Sequence, residues 1–165
     1  MILGVFDLET YTVVHVVISL IAIAAGLVVV FGMLGANRLA GWTALFLFTT
    51  ILTSLTGFGF PFVQLLPSHV VGAISLAVLL VAVLAYYQFR LAGAWRWIYV
   101  VAALLALWAN VFVLIVQAFQ KIGFLATLAP TQSEPPFQIV QIAALALFVV
   151  LGIFAVRRFR PPAAA

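Results

Sequence analysis

Five stretches of this chain, residues 12–34, 41–58, 68–89, 97–119 and 137–156, contain no Asp, Glu, Lys or Arg and are apolar almost throughout. A helix of about 20 residues crosses the hydrocarbon core of a bilayer, so each stretch is long enough to span one. A barrel strand alternates polar with apolar residues, and these stretches do not. Helix is the remaining backbone solution in lipid, because it pairs every N–H and C=O within the segment. The expected fold class is therefore an all-α integral membrane protein with five transmembrane helices. Composition agrees: with 68% hydrophobic and 6% charged residues, no water-soluble surface can be assembled.

The first stretch is expected to be a span and not a cleaved signal peptide. It lacks a preceding basic segment, exceeds an ordinary signal core in length, and has no small-residue cleavage pattern after it. The chain has no cysteine, which removes disulfides, thiolate metal sites and Cys-x-x-Cys redox chemistry.

Basic residues mark topology. Arg38 lies between the first and second stretches, Arg90 and Arg96 between the third and fourth, and Arg157, Arg158 and Arg160 after the fifth, whereas the opposite ends carry only Lys121. Asp7, Glu9 and Glu134, the only acids, all fall opposite the arginines. Retention of Lys and Arg in the cytoplasm then predicts an outside N-terminus and a cytoplasmic C-terminus in a plasma (inner) membrane. Trp42, Tyr86, Tyr87, Trp95, Trp97 and Tyr99 are expected to form an aromatic belt at the inner interface. Tyr11, Phe58, Phe60, Phe62, Phe119 and Phe124 form its outer counterpart.

Part of the sequence is written twice. His15-Val16-Val17-Ile18-Ser19-Leu20 and Arg38-Leu39-Ala40-Gly41-Trp42 return as His69-Val70-Val71, Ile74-Ser75-Leu76 and Arg90-Leu91-Ala92-Gly93-Ala94-Trp95. This predicts a duplicated helical hairpin, units 11–58 and 67–119, within one domain covering 1–165. Short connections favour an up-down-up-down four-helix bundle from those units, with the fifth helix added to it. Both copies start on the same side, so the repeat is parallel and not inverted. The fifth helix follows a long connection, Gln120 to Pro136, interrupted by Pro130 and Pro135.

Polar side chains concentrate in the outer half of the spans: His15, Ser19, Thr53, Thr56, His69, Gln117 and Gln141, with Ser75 and Asn110 nearer the middle. An unpaired polar group facing lipid is costly, so these residues are expected to face a polar pocket open to the outside. Asn110 and Gln117, seven residues apart, share a helix face. The competing reading is packing: Ser and Thr hydroxyls return hydrogen bonds to their own backbone and let helices approach. That reading is favoured for the Thr-rich second span. The lone Pro61 reads as a turn where that span ends.

The two histidines carry the sharpest hypothesis. His15 precedes Arg38 by 23 residues and His69 precedes Arg90 by 21. At about 1.5 Å per residue their heights differ by roughly 3 Å. In a bundle of this connectivity they approach one interior site from diagonal helices. The arrangement resembles, in logic and in no sequence motif, the b-type cytochromes of respiratory membranes. That resemblance implies one haem b held by His15 and His69; Gln117 and Gln141 are further candidate cofactor-binding residues, and the chain departs from the pattern in that only Gly57 and Gly72, of the glycines those proteins keep to make room for the macrocycle, lie at a plausible height.

A divalent metal, Zn or Cu, on His15 and His69 with an acidic partner is the second use of the pair. A quinone, a lipid headgroup or a small neutral solute passing through a channel would need only the Gln, His and Thr donors. Against all of these stands a cofactor-free accessory or scaffold subunit whose polar stripes only hold helices together. Its partners would be membrane lipids and another membrane subunit or a second copy of the chain, not nucleic acid. With no ionisable residue inside a span, a proton pump or voltage sensor lacks its parts. No nucleophile-and-base pair, phosphate loop or zinc-protease motif is present.

Overall fold

The computed structural model describes residues 7–60 and 67–160, with the side chains of residues 67–69 outside that description. Five long helices are present among the described residues: α1 (Leu8–Leu34), α2 (Ala40–Gly57), α3 (Pro67–Val83), α4 (Trp95–Lys121) and, after a short α5 (Gly123–Leu128), α6 (Pro135–Arg158). All five, the third counted with the π-helical turn as Val70–Gln88, are long and apolar enough to cross a membrane, as in a multi-pass membrane protein, and no strand occurs among the described residues. The observed bounds enclose or nearly coincide with the expected ones. Two features go beyond them, the short helix α5 and a π-helical turn, Leu84–Gln88, that follows α3.

Local chemistry sets the helix ends. Pro135 and Pro136 open α6, where a missing N–H costs nothing, and Arg157 and Arg158 sit in its last turn beside the partial negative charge of the exposed carbonyls. α1 closes through Gly35, whose N–H bonds back to Phe31 and Gly32. The two connections at the arginine end are tight. Leu39 (φ 42°) and Leu91 (φ 63°), equivalent positions in the two Arg-Leu-Ala-Gly blocks, both adopt the left-handed region. The blocks touch, as Arg38 Nη2 donates to the Arg90 carbonyl at 2.9 Å.

α1 packs against α2, α4 and α6, and α3 against α2 and α4, while α6 lies along α4 and α1. Buried residues recur at helical spacing: Ala22, Ala25, Gly26, Val29 and Met33 on α1; Thr43, Phe46, Leu47, Thr50 and Ser54 on α2; Val100, Ala103 and Leu107 on α4. Small residues let backbones approach where lipid offers no hydrophobic drive to association. At the centre, a Cβ on Gly26 would lie 2.6 Å from Leu107 Cδ1 and 2.9 Å from the Phe46 ring, so only glycine permits this three-helix crossing.

Three of the expected belt aromatics, Tyr11, Tyr99 and Phe119, belong to the interior. Tyr99 is 1% and Phe119 5% exposed. Tyr99 is drawn inward because its phenol reaches Thr43 Oγ1 at 3.5 Å, while its ring packs on Tyr86 and Phe159. Thr43 in turn donates to the Arg38 carbonyl. At the same end Arg96 Nη1 donates to the carbonyls of Val156 (3.1 Å) and Phe159 (2.6 Å), tying the last turn of α6 to the start of α4.

Candidate functional site

At the opposite end, α1 and α2 meet through Thr56. Its hydroxyl donates to the Leu52 carbonyl at 2.7 Å, the usual return bond of a helical threonine. His15 Nδ1 lies 2.7 Å from the same oxygen. A hydroxyl has one hydrogen, and with that hydrogen committed to Leu52 the second bond takes its proton from the imidazole. That arrangement selects the Nδ1–H tautomer of His15, with the lone pair on Nε2.

Further contacts fix the ring. Phe60 packs edge-on against His15 at 5.2 Å and against Tyr11 at 5.1 Å. The Tyr11 hydroxyl donates to the Thr56 carbonyl at 2.7 Å, so both polar groups of Thr56 are engaged from α1. Gly59 makes this possible, since a Cβ there would fall 2.0 Å from the Tyr11 oxygen. Beside the imidazole, Gly57 leaves room: a Cβ added to it would approach His15 Cε1 only to 3.9 Å.

His69 is the third residue of α3, in the first turn after Pro67. Its side chain and the turn expected at Pro61 lie outside the described residues, as does Phe62. α3 nevertheless enters close to α2, because a Cβ on Gly72 would meet the Phe58 ring at 3.3 Å and the Ser54 carbonyl at 3.9 Å. The glycines expected at the height of a macrocycle, Gly57 and Gly72, thus both lie against this end of the helix pair.

The remaining candidates have separate fates. The Ser19 hydroxyl donates to the His15 carbonyl and that of Thr53 to the Thr49 carbonyl, each at i−4 on its own helix. Ser75 is buried. Asn110 keeps a buried Nδ2 with no hydrogen-bond partner among the described residues. Gln117, although on the Asn110 face by spacing, is exposed. Gln141 crosses from α6 to α4, where Nε2 donates to the Phe112 carbonyl at 3.2 Å. Among the described residues no three His, Cys, Asp or Glu side chains cluster. Tyr11, Gly59 and Phe60 are parts of the His15 environment that helix spacing alone does not assign to it.

A loop closes this end of α4 and α6. Glu134 accepts from the Thr131 hydroxyl (2.8 Å) and from the backbone N–H groups of Thr131 and Ser133, and the Thr131 and Ser133 hydroxyls also pair. Partial desolvation pushes this carboxyl upward, but those hydrogen bonds together hold it below its ordinary value. Gln132 Nε2 pins the loop to the Val116 carbonyl.

No family model, curated protein or solved structure matches the chain, so the site rests on its own residues.

Proposed function

We propose that the histidine end of the molecule is a haem b site, ligated by His15 and His69, in a plasma-membrane protein that serves electron transfer or its assembly. The observation that carries this reading is the bond from His15 Nδ1 to Thr56 Oγ1. A ligating histidine needs its other nitrogen fixed by an acceptor, which sets the tautomer and aims the lone pair. Thr56 supplies that acceptor, Tyr11 steadies Thr56, and Phe60 limits ring rotation. Gly57 keeps a side chain away from the imidazole, whereas the space beside Gly72 is taken by the Phe58 ring.

When bound, the haem supplies a one-electron couple. The chain's own part is to hold imidazole nitrogen in place and keep the ring from turning. In this proposal α1 to α4 form the up-down-up-down bundle of a duplicated hairpin, with α6 added, the N-terminus outside and the arginines in the cytoplasm. Zn or Cu on the same pair is the weaker form, since it needs an additional donor. The test is haem content after purification from haem-replete cells: about one haem per chain is expected in the native protein and none in His69→Ala. A native protein without haem rejects the reading.

A second reading has an observation of its own. The hydroxyls of Thr49, Thr50 and Thr53 all return to carbonyls of α2, and Ser19 to α1, so these stripes serve packing. That pattern suits a cofactor-free accessory or scaffold subunit bound to another membrane subunit or a second copy. Reproducible co-purification of one partner with haem-free protein would select it.

A further inference from the structure

One recess in the described surface lies away from the histidines. It is a groove of about 430 Å³ between α4 and α6, lined by Leu104, Leu105 and Trp108 on one side and by Leu145, Gly152 and Arg157 on the other, and otherwise by aliphatic and aromatic side chains. Its long axis follows α6 from Leu145 to Arg157, a rise of about 18 Å at 1.5 Å per residue. One leaflet contributes about half of a core roughly 30 Å thick. The lining thus spans about the length of one lipid chain, and between two membrane-spanning helices only lipid or another protein can fill such a groove.

Its mouth is charged and uncompensated. Arg96 is engaged with two carbonyls, Arg38 with the Arg90 carbonyl, and Arg158 lies 5.9 Å from the centre of the Phe154 ring. Arg157 is exposed and makes no hydrogen bond or ion pair among the described residues. All three acidic side chains, Asp7, Glu9 and Glu134, lie at the other end of the helices, so none can neutralise it. An apolar slot of leaflet length ending on a free guanidinium is complementary to an acyl chain that carries a phosphate. Gly152 shapes the floor: a Cβ there would already touch Leu104 Cδ1 at 3.5 Å, and a longer side chain would occupy the slot.

We propose that this groove holds an acyl chain of an anionic phospholipid from the arginine-side leaflet, with its phosphate on Arg157. The site is independent of the histidine end and of whatever binds there.

Trp108 is a built-in reporter. A variant with Trp42, Trp95 and Trp97 changed to Phe is reconstituted in phosphatidylcholine vesicles containing small fractions of phosphatidylglycerol or phosphatidylcholine brominated along the acyl chain. Brominated phosphatidylglycerol is expected to quench Trp108 with about fivefold preference over the zwitterionic lipid, the effect of one basic residue at an anionic surface. Arg157→Gln removes the preference and Arg157→Lys keeps it. Gly152→Leu lowers quenching by both lipids. Equal quenching in proportion to mole fraction, or a preference that survives Arg157→Gln, overturns the proposal. So does concentration-dependent crosslinking through α6 that shields Trp108, which would make a second copy the occupant.

Discussion

His15 Nδ1 and Thr56 Oγ1 stand 2.7 Å apart across the α1/α2 interface, and the threonine's own hydrogen is already given to Leu52. The pair therefore fixes a protonation site as well as a position. Thr56→Val removes the acceptor while keeping the shape. Loss of a side-chain hydrogen bond within a membrane costs about 0.6 kcal/mol on average, so stability should fall only slightly. The histidine tautomer should change more. Nitrogen NMR of labelled His15 is expected to show protonated Nδ1 in the native protein and in Thr56→Ser, and a mixture in Thr56→Val. A mixture already in the native protein would mean that Thr56 does not orient the ring.

Gly59 and Tyr11 are coupled by sterics. Gly59→Ala places a methyl 2.0 Å from the phenolic oxygen, which must leave the Thr56 carbonyl. Overpacking of this kind costs typically 1–3 kcal/mol, that is, about 2 kcal/mol here. In a Tyr11→Phe background the oxygen is gone and the penalty should shrink by about half. Additive unfolding energies for the two substitutions would refute the coupling.

Gly26 is the tightest point of the helix crossing. Gly26→Ala drives a Cβ into Leu107 and Phe46, both packed from other helices. A loss of roughly 2–3 kcal/mol in a reversible unfolding assay is expected. Gly41→Ala, where an added Cβ meets nothing within 4 Å, should be close to neutral and serves as the control.

Glu134 gives the loop between α5 and α6 a pH dependence. Its carboxyl is held below the ordinary 4.5, so its stabilising effect is complete above that value and disappears as pH falls through the lowered one. Amide protection at Thr131 and Ser133 should be constant near neutrality, fall on acidification below about 4.5, and be low at all pH values in Glu134→Gln. Protection that is the same in both proteins at pH 7 contradicts the account.

Much of the fold is legible in the sequence because lipid leaves the backbone so little choice. A stretch such as 97–119 has to be helix, and α4 exceeds it by only two residues at each end, running from Trp95 to Lys121. α5 escapes notice because Gly123–Leu128 is too short to show a period. Tyr99 is misplaced for another reason. Helix counting gives its height at the interface, but whether a phenol at that height meets lipid or Thr43 depends on how α2 and α4 cross. Crossing geometry is set by contacts between distant residues, such as Gly26 with Leu107, which no local pattern encodes.

The site divides in the same way. His15 stands out in sequence because an imidazole within a span is rare and costly. Thr56 is visible as a polar residue at a suitable height, yet its bond to His15 requires the register of two antiparallel helices. The two glutamines differ for a comparable reason: seven-residue spacing aligns Gln117 with Asn110, yet Gln117 is exposed, whereas α6 brings Gln141 to the Phe112 carbonyl. The α4/α6 groove has no sequence signature at all, because a gap between two apolar faces reads the same as a filled one.

The most direct test of the histidine site is the absorption spectrum of the purified protein, oxidised and then reduced, beside His15→Ala and Thr56→Val. The account predicts a Soret band and a sharp reduced α band in the native protein, both absent in His15→Ala and shifted or weakened in Thr56→Val. A colourless native protein from haem-replete cells, or a spectrum that His15→Ala leaves unchanged, would contradict it.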